Sequence, residues 1–364
     1  MAAPAQTSRG RPLQLGRSFV SPGFDLMLIG GGLTYPLILW LWWNGASAAA
    51  LIGVSLPILM LLVNQAHFAA STVRLYTKPG AFEELPFLTM VFPILTLAVL
   101  SVFVLFADQI GRHLWALYAS WSPYHYAAQT FGLASMYCYR SGCPLDPRER
   151  LFLRWTCLMP FLASFLGAAP TGIGLGWFVP SAAIAGNPIA LAAYDAGLVI
   201  TRSLTFVMPA ALFGWLGWRS RRASAASRSG MPLVSLAMIV SNGIWWVIFN
   251  YIDAFIWATV FHGLQYLAIL AVFHVRDQQA RPDNQHGPTY HVLWLYGLCV
   301  GLGYLLFQCW PRAYIALGYG KVESIFMVVA IINVHHFIVD GFIWHIRKDR
   351  RLARVVDSRE TAPG

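Results

Sequence analysis

Apolar runs about twenty residues long, separated by short polar and basic stretches, organise almost the whole chain. A helix needs about 20 apolar residues to cross a hydrocarbon core of about 30 Å, so the runs predict spans near 24–43, 49–76, 86–107, 114–139, 151–178, 188–218, 231–250, 252–273, 291–310 and 320–346. Only Asn250-Tyr251-Ile252-Asp253 divides the seventh run from the eighth. The expected fold is all-α: a polytopic transmembrane helix bundle of about ten spans. A basic N-terminal arm (1–22), a transmembrane helical domain (23–346) and a basic tail (347–364) follow one another, with both termini cytoplasmic. The basic loop RSRRASAASRSG separates six spans from four, but it is too short to link independent domains, and no persuasive repeat relates the two sides.

Composition removes the alternatives to a bilayer. Hydrophobic residues make up 57% and charged residues 11%, against roughly 25% charged in a soluble domain, so water could not be the solvent of this surface. Aromatic residues reach 15%, the rings that settle at membrane interfaces. A net charge of +10 would suit nucleic acid if it were gathered on one face, but the basic residues flank the spans instead. Arg9, Arg11 and Arg17, the loops at Arg74/Lys78, Arg140–Arg154, Arg219–Arg228 and Arg276/Arg281, and the tail carry most of them. The opposite side holds Arg112, Arg312 and Lys321, which is the positive-inside pattern and places both ends in the cytoplasm, with the inner cell membrane as the expected location. The polar first twenty residues, and the lack of a small-residue cleavage site after the first run, predict no cleaved signal peptide. Five scattered cysteines form no C-x-x-C pair and indicate neither a disulfide framework nor a cysteine metal site.

Ionisable side chains inside a bilayer are costly and are functional by default. His113, His274, His286, His291 and His345 fall at interfaces or in loops and are set aside. The other five are His67, His125, His262, His335 and His336, on spans two, four, eight and ten, which all run in the same direction. At about 1.5 Å per residue, His125 lies about 22 Å from Arg140, His262 about 21 Å from Arg276 and His336 about 17 Å from Arg347. His67 lies about 10 Å from Arg74, or about 17 Å from Lys78. Imidazoles at matched depth on four helices suit one shared metal ion or haem, whereas any one of them alone would be an ordinary interhelical hydrogen-bonding group. His335 and His336 point about 100° apart, so only one of the two is expected to reach the ion.

Each histidine has a polar companion about one turn away: Asn64, Gln129, Gln265 and Asp340, suited to fixing a ligand's tautomer or touching a substrate. Tyr266, four residues after His262, is a candidate ligand or proton donor. Arg202 and Asp195, seven apart on the sixth span, suit a structural ion pair as well as a substrate anchor, and Gly30-Gly31-Gly32 suits close helix packing.

The motifs His67-Phe-Ala-Ala, His125-Tyr-x-x-Gln, Phe261-His262-Gly-Leu-Gln-Tyr and His335-His336-Phe-Ile-Val-Asp340 resemble those of bacterial beta-carotene dioxygenases of the Brp/Blh type. The resemblance covers these four short segments. It implies a multi-pass membrane enzyme in which histidines hold a non-haem iron and a carotenoid is cleaved with dioxygen. Two departures stand out: Tyr266 replaces the second histidine of the family's third motif, and Ser71 closes the first motif where the family has Asp.

Three function classes follow. The first is a metal-dependent oxidoreductase, a non-haem iron(II) oxygenase taking a lipophilic isoprenoid or lipid-like substrate from the bilayer; copper, zinc or haem b are the alternative cofactors. The second is a b-type haem or quinone electron carrier, although no helix carries the histidine pair two turns apart that such carriers use. The third is a transporter that titrates the same histidines. Membrane lipids are the expected surroundings and nucleic acid is not an expected partner.

Overall fold

The structure, a computed structural model, describes residues 13–222 and 229–344, with the backbone alone at 45–55. Arg9, Arg11, His345, the tail from 347 and the middle of the basic loop lie outside the described residues.

Every element among the described residues is helical. Six helices are long and apolar enough to cross a membrane: Leu56–Thr77, Phe87–Leu105, Pro188–Arg222, Tyr251–Gln279, Pro288–Ala316 and Lys321–Ile343. A seventh is added if Pro22–Ile29 and Thr34–Asn44, bent by 53°, count as one span. The chain is therefore membrane-embedded by the length and apolarity of its helices. The fourth, fifth and seventh sequence-read spans are also helical, as Ala107–Arg140, Pro147–Gly167 and Leu233–Ile248. They fall short for physical reasons: the first has Ser120, Ser122, Tyr124, His125 and Gln129 along its middle, the second opens on Arg148, Glu149, Arg150 and Arg154, and the third has only 16 residues.

Local chemistry explains where helices break. The first apolar run is interrupted after Ile29, where Gly31 takes φ +74° and a Cβ there would lie 2.2 Å from the Ser241 hydroxyl oxygen. The triple glycine thus allows both a left-handed turn and a close approach, and the Ser241 hydroxyl donates to the Gly30 carbonyl at 3.3 Å. The turn expected near residues 44–48 is absent from the backbone, which stays helical over Thr34–Leu59, as an alanine-rich stretch favours. By contrast the narrow division at Asn250 is real: the helix ends at Ile248, and Asn250 Oδ1 accepts the Asp253 N–H at 3.1 Å to start the next.

The described residues form two compact units, interleaved in sequence: 13–36 with 123–258, and 37–122 with 259–344. In the first, Asp25 is buried and accepts from the Phe19 N–H and the Tyr137 hydroxyl, both at 2.5 Å, and from the Val20 N–H at 3.1 Å. Glu149, also buried, accepts from Trp215 Nε1 at 2.9 Å, from Arg219, and from the Asp146 N–H at 3.0 Å. Asp146 returns the contact by capping the Pro147–Gly167 helix, its Oδ1 accepting from Arg148 N and Glu149 N.

The second unit is centred on the Ala66–Thr77 helix. Ala66, Ala69 and Ala70 are fully buried, and small residues of this kind let neighbouring helices come close. Phe68 packs with Phe307, Met327, Ile331, Ile332 and Phe337 on one side; Val73 packs with Tyr266, Leu270, Leu295 and Cys299 on another. Gly303, on the Pro288–Tyr304 helix, meets the backbone of Gln65 and Ala66, where a Cβ would lie 2.7 Å from Gln65 C. That approach falls where a π-helical stretch, Met60–Gln65, gives way to the regular helix carrying His67.

Candidate metal centre

His67 comes to its position because the π-helical stretch before it shifts the side-chain register and because its helix is flanked by alanine. The facing helix, Tyr251–Gln279, presents His262 with Gly263 beside it. A Cβ on Gly263 would lie 3.2 Å from the Val63 carbonyl oxygen and 3.3 Å from His67 Cβ, so the missing side chain sets how near the two helices run. As a result the Nε2 atoms of His67 and His262 are 3.1 Å apart, with the rings perpendicular. His336 arrives from the Lys321–Ile343 helix, its ring centroid 4.5 Å from that of His67 at 79°.

Within the second unit His67, His262 and His336 each offer one ring nitrogen such that these atoms lie within 4.8 Å of one another. His125 is carried by the unbroken Ala107–Arg140 helix, just past Pro123. Imidazoles gathered this closely could bind a metal ion. With metal–nitrogen bonds of about 2.1 Å, tetrahedral ligand atoms stand about 3.4 Å apart and opposite ones about 4.2 Å, and the group, at 3.1 Å for His67 to His262 and up to 4.8 Å overall, brackets those separations.

The surroundings of His336 favour the same reading. The Ser71 hydroxyl donates to the Phe68 carbonyl at 3.2 Å and lies 3.0 Å from His336 Nδ1, so it accepts the Nδ1–H. That tautomer leaves a lone pair on Nε2. Asp340, one turn on, holds its Oδ2 3.4 Å from this Nε2, while its Oδ1 accepts the Tyr266 hydroxyl at 2.7 Å. The Trp344 indole N–H donates to the same hydroxyl at 3.3 Å. Nε2 and Oδ2 thus face each other in a buried place, where a shared proton or a bound cation would settle their charge.

The sequence-read candidates divide clearly. His335 points elsewhere: its Nδ1 lies 2.9 Å from the Thr96 hydroxyl, and its ring stacks on Phe92 at 4.7 Å and 12°. Of the adjacent pair, His336 is the one in the group. Tyr266 packs edge-on to both His67 and His336 and gives its proton to Asp340. Gln265 is buried on the His262 helix, Gln129 is half-buried one turn after His125, and Asn64 is buried one turn before His67 within the π-helical stretch. Arg202 and Asp195 are both exposed along the Pro188–Arg222 helix. Sequence reasoning gave no role to Trp344 or to Gly263 and saw Ser71 only as a departure from a motif. The i, i+4 spacing of His67 and Ser71 was the signal available for the serine.

Neither a protein-family model, nor a curated protein, nor a solved structure matches this chain. Fold and site define it as a membrane-embedded protein, all-helical among the described residues, with a histidine cluster able to hold a metal. The likeness to carotene dioxygenases rests on its four short motifs alone.

Proposed function

We propose that the protein is an integral membrane metal-dependent oxidoreductase, a non-haem iron oxygenase acting on an isoprenoid or lipid-like substrate drawn from the inner membrane. The observation that carries this reading is the convergence of imidazole nitrogens from separate helices, inside an apolar chain, to within 4.8 Å. His67, His262 and His336 would hold the ion, with His125 the further ligand expected from its depth in the sequence, and when bound the ion would supply a redox-active Lewis acid with positions to spare. An all-imidazole set suits iron, copper and zinc alike, and the motif resemblance favours iron.

The chain's own groups have separate tasks in this scheme. Ser71 fixes the His336 tautomer, and Gly263 fixes the distance from His67 to His262. Tyr266, hydrogen-bonded to Asp340, holds a proton beside the cluster and can pass it through that carboxylate. The packed rings of Phe68 and Phe307 exclude water.

Geometry speaks against a haem carrier. A haem needs its two axial imidazoles on opposite faces of a flat macrocycle, whereas His67 and His262 meet edge to face at 3.1 Å with no room for a layer between them. An imidazolium at His336 paired with Asp340 would satisfy those two groups, but it gives no reason for further imidazoles to meet at the same point.

The test is elemental analysis of the purified full-length protein, with an absorption spectrum and oxygen uptake on a lipophilic polyene. The expected result is about one iron per chain, no Soret band, and oxygen consumption that disappears in His262→Ala. Absence of any stoichiometric metal would overturn the metal centre and favour a transporter. Zinc in its place would keep the centre and overturn the oxygenase.

A further inference from the structure

His274, near the end of the Tyr251–Gln279 helix, is 1% exposed, and neither of its ring nitrogens has a hydrogen-bond partner. Its packing is settled: the ring lies flat on Trp294, with centroids 5.8 Å apart and 9° between planes, and edge-on to His291 at 6.3 Å. Its polar edge is not, and a buried imidazole cut off from water and from protein partners calls for a ligand. His274 lies in the wall of a cavity of about 490 Å³.

The rest of that wall is arranged for an anion. Lys78 and Arg281 supply two cations, against one carboxylate, Asp283, on the wall and Glu84, 3.1 Å from Lys78, behind it. Tyr290 and His291 belong to the first turn of the Pro288–Tyr304 helix, whose N-cap is Gly287 with no side chain to satisfy the leading N–H groups. A helix start in this state attracts negative charge. The loop before it is held in place by Asn284, whose Oδ1 accepts from His291 Nε2 at 2.8 Å and from the His286 N–H at 3.2 Å, and whose Nδ2 donates to the His286 carbonyl. A metal is the poorer occupant. The ring centroids of His274 and His286 each stand more than 6 Å from that of His291, these three do not form a converging donor group, and the two cations would repel it.

We infer that this cavity is a second ligand site, separate from the histidine cluster, for a phosphate oxyanion. The His274 N–H, Arg281 and the opening turn of the Pro288–Tyr304 helix hold it. Tyr76 and Tyr290 are both exposed at the mouth, the kind of amphipathic ring found at headgroup level, so the phosphate can arrive free or on a lipid headgroup.

Two arms test the site on the full-length protein. Calorimetric titration with inorganic pyrophosphate in detergent reads the free anion; native mass spectrometry from phosphatidylcholine nanodiscs with and without phosphatidic acid reads the headgroup. Saturable binding in either arm is expected, weakened about tenfold or more by His274→Phe, which keeps the stack on Trp294, and by Arg281→Gln, while His67→Ala binds as the wild type does. Pyrophosphate binding that both variants weaken assigns the free anion; a response confined to the phosphatidic acid arm assigns the headgroup. No binding in either arm, or a folded His274→Phe protein that binds like the wild type, overturns the site. If His274→Phe does not fold, the exposed Arg281→Gln decides in the same way.

Discussion

Two buried polar nodes show opposite ways of settling charge in an apolar chain. In the first unit, Glu149 is surrounded by donors of its own chain: an arginine, an indole N–H and a backbone N–H. Acceptor meets donor, the charges cancel, and the node is complete without help. The second unit gathers His67, His262 and His336, with Asp340 nearby, so that groups able to ligate a cation meet one another with no lysine or arginine among these contacts. Such an arrangement gains most when a cation is supplied from outside. The first pattern is what stability alone selects, and the second is what a binding site requires.

The comparison can be broken at either node. The largest expected effect is on the histidines: His67→Ala or His262→Ala should take metal content from about one per chain to near zero by mass spectrometry, while His335→Ala, whose ring is occupied with Thr96 and Phe92, retains it. Equal losses in all three would end the distinction. Glu149→Ala should lower stability by about 3 kcal/mol, because Arg219 and the Trp215 indole lose their buried partner, yet leave metal content unchanged. Chemical denaturation in detergent reads the first quantity; a fall in metal alongside it would show that the two nodes are not independent. Ser71→Ala should weaken metal affinity about 10- to 100-fold in chelator competition, since His336 loses the acceptor that fixes its tautomer. An unchanged affinity would remove Ser71 from the site. Smallest, Gly263→Ala should cost about 1–3 kcal/mol of stability and loosen metal binding several-fold, its new methyl pressing on the Val63 carbonyl and His67 Cβ.

What could be read in the sequence follows from the range of the physics involved. Span-length apolar runs depend only on local composition, and the helices at Pro188–Arg222, Tyr251–Gln279 and Lys321–Ile343 stand close to where the runs placed them. Matched depth likewise depends only on rise per residue, which is why His67, His125 and His262 could be grouped before any helix was packed. The choice between His335 and His336 could not be made, because it turns on what lies across each helix face: Thr96 and Phe92 for one, Ser71 and His67 for the other. The π-helical stretch before His67 was equally hidden, since it forms where Gly303 of a distant helix meets the Gln65 backbone. His274 was set aside as interfacial on its position in the chain; its burial against Trp294 depends on tertiary packing.

Gly263 sits beside one proposed ligand and against the Cβ of another, so a single absent side chain links the spacing of two helices to the dimensions of an ion's coordination shell. Drift at this site should therefore be read out as metal preference before it is read out as misfolding: a methyl that widens the gap by a few tenths of an ångström favours ions with longer bonds. Gly214 and Gly217, with nothing within 4 Å of where a Cβ would stand, should accept alanine or serine freely. A library randomised at all three positions and sorted by bound element would expose that asymmetry directly.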